Sequence, residues 1–215
     1  MDGTEGGMAR LEWVEAVAFD LLTALLDSWT LWAVVAGDAA RGRAWRLASL
    51  RLVTSAGEYT PYEEIARRAA WEVGLAGERA EALLADWDTL RPWPEVAEVL
   101  GRLRGRRLAI VTNCSQRLAE RGAAATGGSF EVVMSAERAG AYKPAPRPYR
   151  AALDALALPP SQVLFVAGSA HDVPGASGVG MPVYWSNRQR QPPSPEANPL
   201  VDAPDLRALP GLLGK

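Results

Sequence analysis

Several apolar runs in this 215-residue chain hand over, at or just beyond their carboxyl ends, to side chains able to do chemistry. VEAVAF is followed by Asp20, LAIVT closes on Thr112 and is followed by Asn113, the weaker run EVVMS leads through a loop to Lys143, and VLFVA leads to Ser169 and Asp172. A carboxylate can act as nucleophile or base, and a hydroxyl and an amide can hold an anion. An ammonium at about 4 Å, with an effective dielectric near 20, attracts a carboxylate by roughly 4 kcal/mol before desolvation and so keeps it ionised. In an open parallel sheet, ligands bind beyond the carboxyl ends of the strands, so groups arriving there together form a catalytic constellation. Each also has an ordinary structural role: Asp172 fits the N-cap of a helix starting near Val173-Pro174, Thr112 and Asn113 can close a strand end, and Lys143 can be a surface cation.

Positioning these groups requires a sheet. Apolar runs predict strands at Val14–Phe19, Leu108–Thr112, Val163–Ala167 and Pro182–Trp185, with Glu131–Ser135 weaker. Helical patterning at Pro94–Leu103, Gln116–Ala125, Arg147–Ala157 and Val173–Val179 alternates with them, the βαβ rhythm of a doubly wound parallel sheet. Ser28–Leu90 breaks that rhythm with helical patterning and no convincing strand, which predicts an inserted α-helical unit at 28–90 and an α/β core made of 11–27 and 91–215. Six of the eight tryptophans (Trp29, Trp32, Trp45, Trp71, Trp87, Trp93) fall in or beside the insert, as expected of an aromatic core of its own or an apolar pocket wall. The Arg91–Pro94 turn marks the return to the sheet, and the Pro-rich 189–204 stretch reads as a surface connection to a last short helix.

Composition excludes several classes of function. A net charge of −2 gives no nucleic-acid footprint, and the basic run Arg102–Arg107 reads as solvated cations at a helix end. The single Cys114 rules out an internal disulfide or a thiolate metal site and suits a reducing, cytoplasmic setting. No apolar stretch is long enough to span a bilayer, and the polar opening MDGTEGGMAR, expected to be loose, lacks the pattern of a signal peptide; Met8 is an alternative start.

The segments AFDLLTALLDSW, LAIVTNCS, AYKPAPRPY and LFVAGSAHDVPGASGVGMPVYWSNR occur in order and at suitable spacing. Together they resemble the four motifs of the haloacid dehalogenase superfamily, with Lys143–Tyr149 and Trp185–Arg188 most similar to its 2-haloacid dehalogenase branch. The resemblance implies a Rossmann-like core with a helical cap. It also implies an Asp20 nucleophile that displaces halide from a small anionic substrate and forms an ester that water hydrolyses. By the same resemblance, Lys143 holds Asp20 ionised, Asp172 positions Lys143 or the water, and Thr112, Asn113 and the cap's Arg46 bind carboxylate and halide. Thr23, Ser169 and Tyr149 complete the substrate site, no cofactor is needed, and related enzymes are often homodimers.

The chain also departs from the pattern. Phosphatase branches carry a second aspartate two residues after the nucleophile to protonate the leaving alkoxide; here Leu22 stands there, which suits a halide that leaves without a proton. The usual Gly-Thr at the third and fourth positions is Thr23-Ala24, and a Ser-Ser-Asn run is Ala167-Gly168-Ser169. His171, the only histidine, stands where tryptophan is common: it is either a structural loop residue or an aid to water attack. Two alternatives stay open, a Mg-dependent phosphatase on a small metabolite and a catalytically silent member that binds a small acid or a protein. The first lacks a clear second acid between Gly168 and Asp172 for a hard metal ion.

Overall fold

The computed structural model describes residues 10–193 and 195–215, so nearly all of the polar opening lies outside the described residues. Six strands, β1 (Ala16–Phe19), β2 (Arg107–Thr112), β3 (Val132–Ser135), β4 (Val163–Ala167), β5 (Val183–Ser186) and β6 (Val201–Ala203), form one sheet in the order β3-β2-β1-β4-β5-β6. Every pairing is parallel, with Ala16 of β1 in register with Arg107 on one side and Val163 on the other. The strands read as continuous apolar runs because both faces are covered. Val17, Phe19, Ile110, Leu164 and Val166 pack into one core, while Ala16, Ala18, Val111, Phe165 and Ala167 pack into the other.

Between β1 and β2 lie α1 (Ser28–Ala36), α2 (Ala39–Ser55), α3 (Tyr62–Glu72), α4 (Gly77–Ala85) and a 3-10 turn at Asp86–Thr89. Asp27 and Asp38 start the first two of these helices by accepting from the amides of Thr30 and Arg41, and Gly37, at φ 74°, takes the left-handed conformation that separates them. The crossovers are α5 (Val96–Arg102), α6 (Gln116–Ala125), α7 (Ala136–Ala139), α8 (Pro146–Leu156) and α9 (Asp172–Ser177), and α10 (Leu209–Leu212) follows β6. The chain is thus a doubly wound α/β fold whose strand order reverses between β1 and β4, so a crevice opens at the carboxyl ends of those two strands. No helix of the described residues is long and apolar enough to cross a membrane.

Three sequence expectations need correction. The 189–204 stretch is not all surface connection: Val201–Ala203 pairs with β5 as an edge strand, and its neighbour supplies the order that its own short composition does not. Trp32, Trp45 and Trp87 are fully buried, but Trp71 is 79% exposed and belongs to no aromatic core. The basic run is more than a solvated helix end. Arg102 donates to the Lys215 carbonyl, Arg106 to the carbonyls of Val14 and Leu213, and Arg107 to Glu131 and the Leu156 carbonyl, so these cations satisfy chain ends that the sheet leaves open.

Candidate active site

At the end of β1 the backbone stays extended through Asp20 and then enters a wide turn, Leu21–Leu25, closed by the Leu26 amide donating to the Leu21 carbonyl. Such a turn leaves amides free at its start, and the Asp20 side chain caps them. Its Oδ2 accepts from the Thr23 amide at 2.8 Å, the Thr23 hydroxyl at 2.6 Å and the Ala24 amide at 3.2 Å. Among the described residues its Oδ1 accepts from Lys143 Nζ alone, at 2.9 Å. The hydroxyl displaced in sequence from the fourth to the third position therefore still reaches the carboxylate.

Lys143 is 1% exposed and its ammonium bridges two carboxylates, with Asp172 Oδ2 at 3.1 Å. Asn113 fixes its backbone by accepting from the Lys143 amide at 2.8 Å and donating Nδ2 to the Lys143 carbonyl at 3.0 Å. Tyr149 is also fully buried; its hydroxyl donates to Asp172 Oδ1 at 3.3 Å and its ring stands edge-on to Phe165, over which the Lys143 ammonium sits at 5.3 Å. Asp172 opens α9 without capping it and turns its carboxylate to Lys143 and Tyr149 instead.

Burial by itself would push the Asp20 carboxyl upward, but the adjacent Lys143 charge and the Thr23 hydrogen bonds outweigh it and hold it at about 2, so Asp20 is an anion at neutral pH. Burial likewise works against the Lys143 cation, and the charges of Asp172 and Asp20 reverse that and raise it. Burial, followed by the Asp172 charge, pushes Tyr149 well above its ordinary value, so it stays a neutral donor.

A small chamber of about 20 Å³ opens over Asp20, walled by Leu22, Arg46, Asn113, Lys143, Ser169 and His171. Ser169 Oγ lies 3.3 Å from His171 Nε2. Arg46, on α2, is 4% exposed; its guanidinium lies 5.4 Å from the Trp32 ring and 5.9 Å from the Trp29 ring, and its Nε has no hydrogen-bond partner among the described residues. Among the described residues no carboxylate pairs with it. A buried guanidinium in that state is poised for an anion. A larger groove of about 560 Å³, bordered by Leu52, Glu64 and Ile65, carries no comparable set of groups; chemistry rather than volume identifies the site.

Asp20, Lys143, Asp172, Asn113, Arg46, Thr23, Ser169 and His171 thus come together around one chamber. Thr112 and Tyr149 do not line it: the Thr112 hydroxyl is fully buried and faces Cys114 Sγ at 3.8 Å, and Tyr149 stands behind Asp172. Burial pushes the Cys114 thiol up to about 12, which leaves it unreactive. Sequence reasoning missed two glycines. A Cβ on Gly175 would meet the Tyr149 hydroxyl at 2.7 Å and Pro144 at 2.9 Å, and one on Gly168 would meet the Thr23 hydroxyl at 2.2 Å and the Ala24 amide nitrogen at 2.4 Å. Their signal was their place in the last motif, where backbone must pass close to the site.

The arrangement does not fit magnesium. Lys143 already pairs with both Asp20 and Asp172, Leu22 offers no oxygen from its side chain, and a Cβ at Gly168 would clash with the Thr23 hydroxyl and the Ala24 amide. Among the described residues no cluster of three or more His, Cys, Asp or Glu could hold a metal ion.

A family model described as haloacid dehalogenase-like hydrolase matches residues 10–180. Haloacetate dehalogenase H-2 of Moraxella sp. is 32% identical over 81% of this chain and 86% of that protein, and phosphoserine phosphatase of Thermus thermophilus is 32% identical over 83% and 76%. A crystal structure of a dehalogenase with an intermediate complex superposes with a TM-score of 0.84 at 26% identity, covering 95% of this chain and 99% of that one. An ionised aspartate after the first strand, a lysine bridging it to a second aspartate and a match over most of the length agree on one conclusion: the chain belongs to the haloacid dehalogenase-like hydrolases.

Proposed function

We propose that this enzyme is a 2-haloacid dehalogenase, with residues 28–90 as a helical cap over a core formed by 11–27 and 91–215. The observation that carries the reading is the asymmetry of Asp20. Oδ2 has three donors while Oδ1 has only Lys143, so Oδ1 keeps the lone pair that attacks carbon. Oδ1 displaces the halogen at C2 from the opposite side; the carbon–halogen bond breaks, and halide leaves with its electron pair and no proton. Arg46 takes the substrate carboxylate. Asn113 keeps a second Nδ2 hydrogen for the departing halide, since Lys143 uses only one.

In the ester, Oδ2 is the carbonyl oxygen. Water adds to the Asp20 carboxyl carbon and yields its proton to Asp172, and the negative charge that gathers on Oδ2 meets the Thr23 and Ala24 donors already in place. Collapse breaks the bond between the Asp20 carboxyl carbon and Oδ1, and the departing alkoxide takes the proton held by Asp172. The remaining carboxyl proton passes to solvent, which restores the Asp20 carboxylate, and a 2-hydroxy acid of inverted configuration leaves. Lys143 holds Asp20 ionised and Asp172 oriented; Thr112, Tyr149 and Ser169 support the frame, and His171 belongs to the chamber wall through Ser169. Leu22 and the closed space at Gly168 oppose phosphoester hydrolysis, and the intact Asp20–Lys143–Asp172 set opposes a silent binder.

The test is halide release from L- and D-2-chloropropionate and chloroacetate without added metal, comparing native enzyme with Asp20→Asn. We expect release that vanishes in the variant, and heavy-oxygen label on Asp20 after a single turnover in labelled water. An active Asn variant, or phosphate release with magnesium in place of halide release, would overturn the reading.

A further inference from the structure

The chamber over Asp20 adjoins an outer one of about 380 Å³, and the two share Thr23, Leu50, Ser169 and His171 in their walls. One face of α2 lines both, since Arg43, Arg46, Leu47, Leu50, Arg51 and Thr54 recur at intervals of three and four residues. The inner chamber is much the smaller of the two, so the part of a substrate that extends away from Asp20 finds its room in the outer one.

That outer space has a specific chemistry. Arg43 stands 5.4 Å from the Trp29 ring, the same indole that Arg46 approaches at 5.9 Å. Two like charges one helical turn apart therefore flank a single ring, and among the described residues neither pairs with a carboxylate; Arg43 touches only the neutral Gln189 Oε1, at 3.3 Å. Arg51, further along the same face, is already neutralised by Glu72 at 2.5 Å. Like charges at this spacing destabilise a helix unless something neutralises them.

On the basis of the dehalogenase reading, we propose that Arg43 and Trp29 form a subsite for a second anionic group, so that the preferred substrate is a 2-halo dicarboxylate: one carboxylate meets Arg46 in the inner chamber and the other meets Arg43 in the outer. Leu47, 46% exposed on the same face, and Leu50 cover the methylenes between them.

The test compares kcat/KM for halide release from 2-chloropropionate with that from 2-chlorosuccinate and 2-chloroglutarate, both enantiomers of each, in native enzyme and in Arg43→Gln and Arg43→Glu. The expected result is a diacid preference of about tenfold or more in the native enzyme, with the diacid-to-monoacid ratio falling about tenfold in Arg43→Gln and further in Arg43→Glu, as loss of a charge-assisted hydrogen bond requires. Preference for the monoacid, or an equal loss on both acids in the variants, overturns the subsite and leaves the dehalogenase reading standing. No halide from any of these acids overturns both.

Discussion

The floor and the wall of the inner chamber treat their charges in opposite ways. On the floor, the Lys143 ammonium meets two carboxylates, Asp20 accepts four hydrogen bonds, and even the backbone of Lys143 is held on both sides by Asn113. On the wall, Arg46 is nearly as buried but leans on two indoles with its Nε unpaired. A self-satisfied set keeps its geometry whether or not substrate is present, which suits groups that make and break bonds. An unsatisfied cation gains most when an anion arrives, which suits a group that selects what enters.

The sharpest way to break this comparison is to remove the central floor cation. Lys143→Met should lower kcat by at least about a thousandfold, because Asp20 loses the charge that keeps it ionised, and should destabilise the fold by roughly 3–5 kcal/mol, because two buried carboxylates lose their partner. Halide release and urea unfolding read the two effects, and an unchanged unfolding midpoint would count against the floor as a self-satisfied unit. Arg46→Met should separate them: kcat/KM falls about a hundredfold while the unfolding midpoint stays level or rises, because the replaced charge had no partner in the free protein.

Smaller changes sharpen the same contrast. Thr23→Val keeps the shape but removes the 2.6 Å bond to Oδ2, so kcat should fall about tenfold and the acid limb of the kcat/KM profile should move to higher pH. A fall in kcat with an unmoved acid limb would leave Thr23 a purely structural residue. For the native enzyme, the depressed Asp20 carboxyl contributes stability that is complete above its ordinary value of 3.8 and is lost as pH falls through about 2. Acid titration of the unfolding midpoint should show that loss in native enzyme and much less of it in Asp20→Asn.

The sequence made the floor legible because Asp20 and Asp172 come just after apolar runs that read as buried strands, and β4 begins and ends where VLFVA does, whereas Lys143 follows the weaker run that becomes the edge strand β3. It could not show that Asn113 serves the Lys143 backbone or that Tyr149 stands behind Asp172, since those contacts span 30 and 23 positions and depend on how the loops fold back. β6 escaped notice because three residues after a proline-rich stretch carry little pattern of their own, and order there comes from β5. Trp71 misled because residue type alone does not say which side of a helix faces water.

The close approach at Gly168 limits this chain's evolutionary options. Converting it into a metal-dependent phosphatase calls for an acid in place of Leu22 and another in the last motif, yet a Cβ at position 168 would land 2.2 Å from the Thr23 hydroxyl and 2.4 Å from the Ala24 amide nitrogen. An acid at 168 is therefore deleterious until the side chain at 23 and the turn beneath it have changed. The Thr23 change, made first, removes a hydrogen bond from Asp20. The two positions are therefore coupled, and a change at this one glycine depends on what stands at 23.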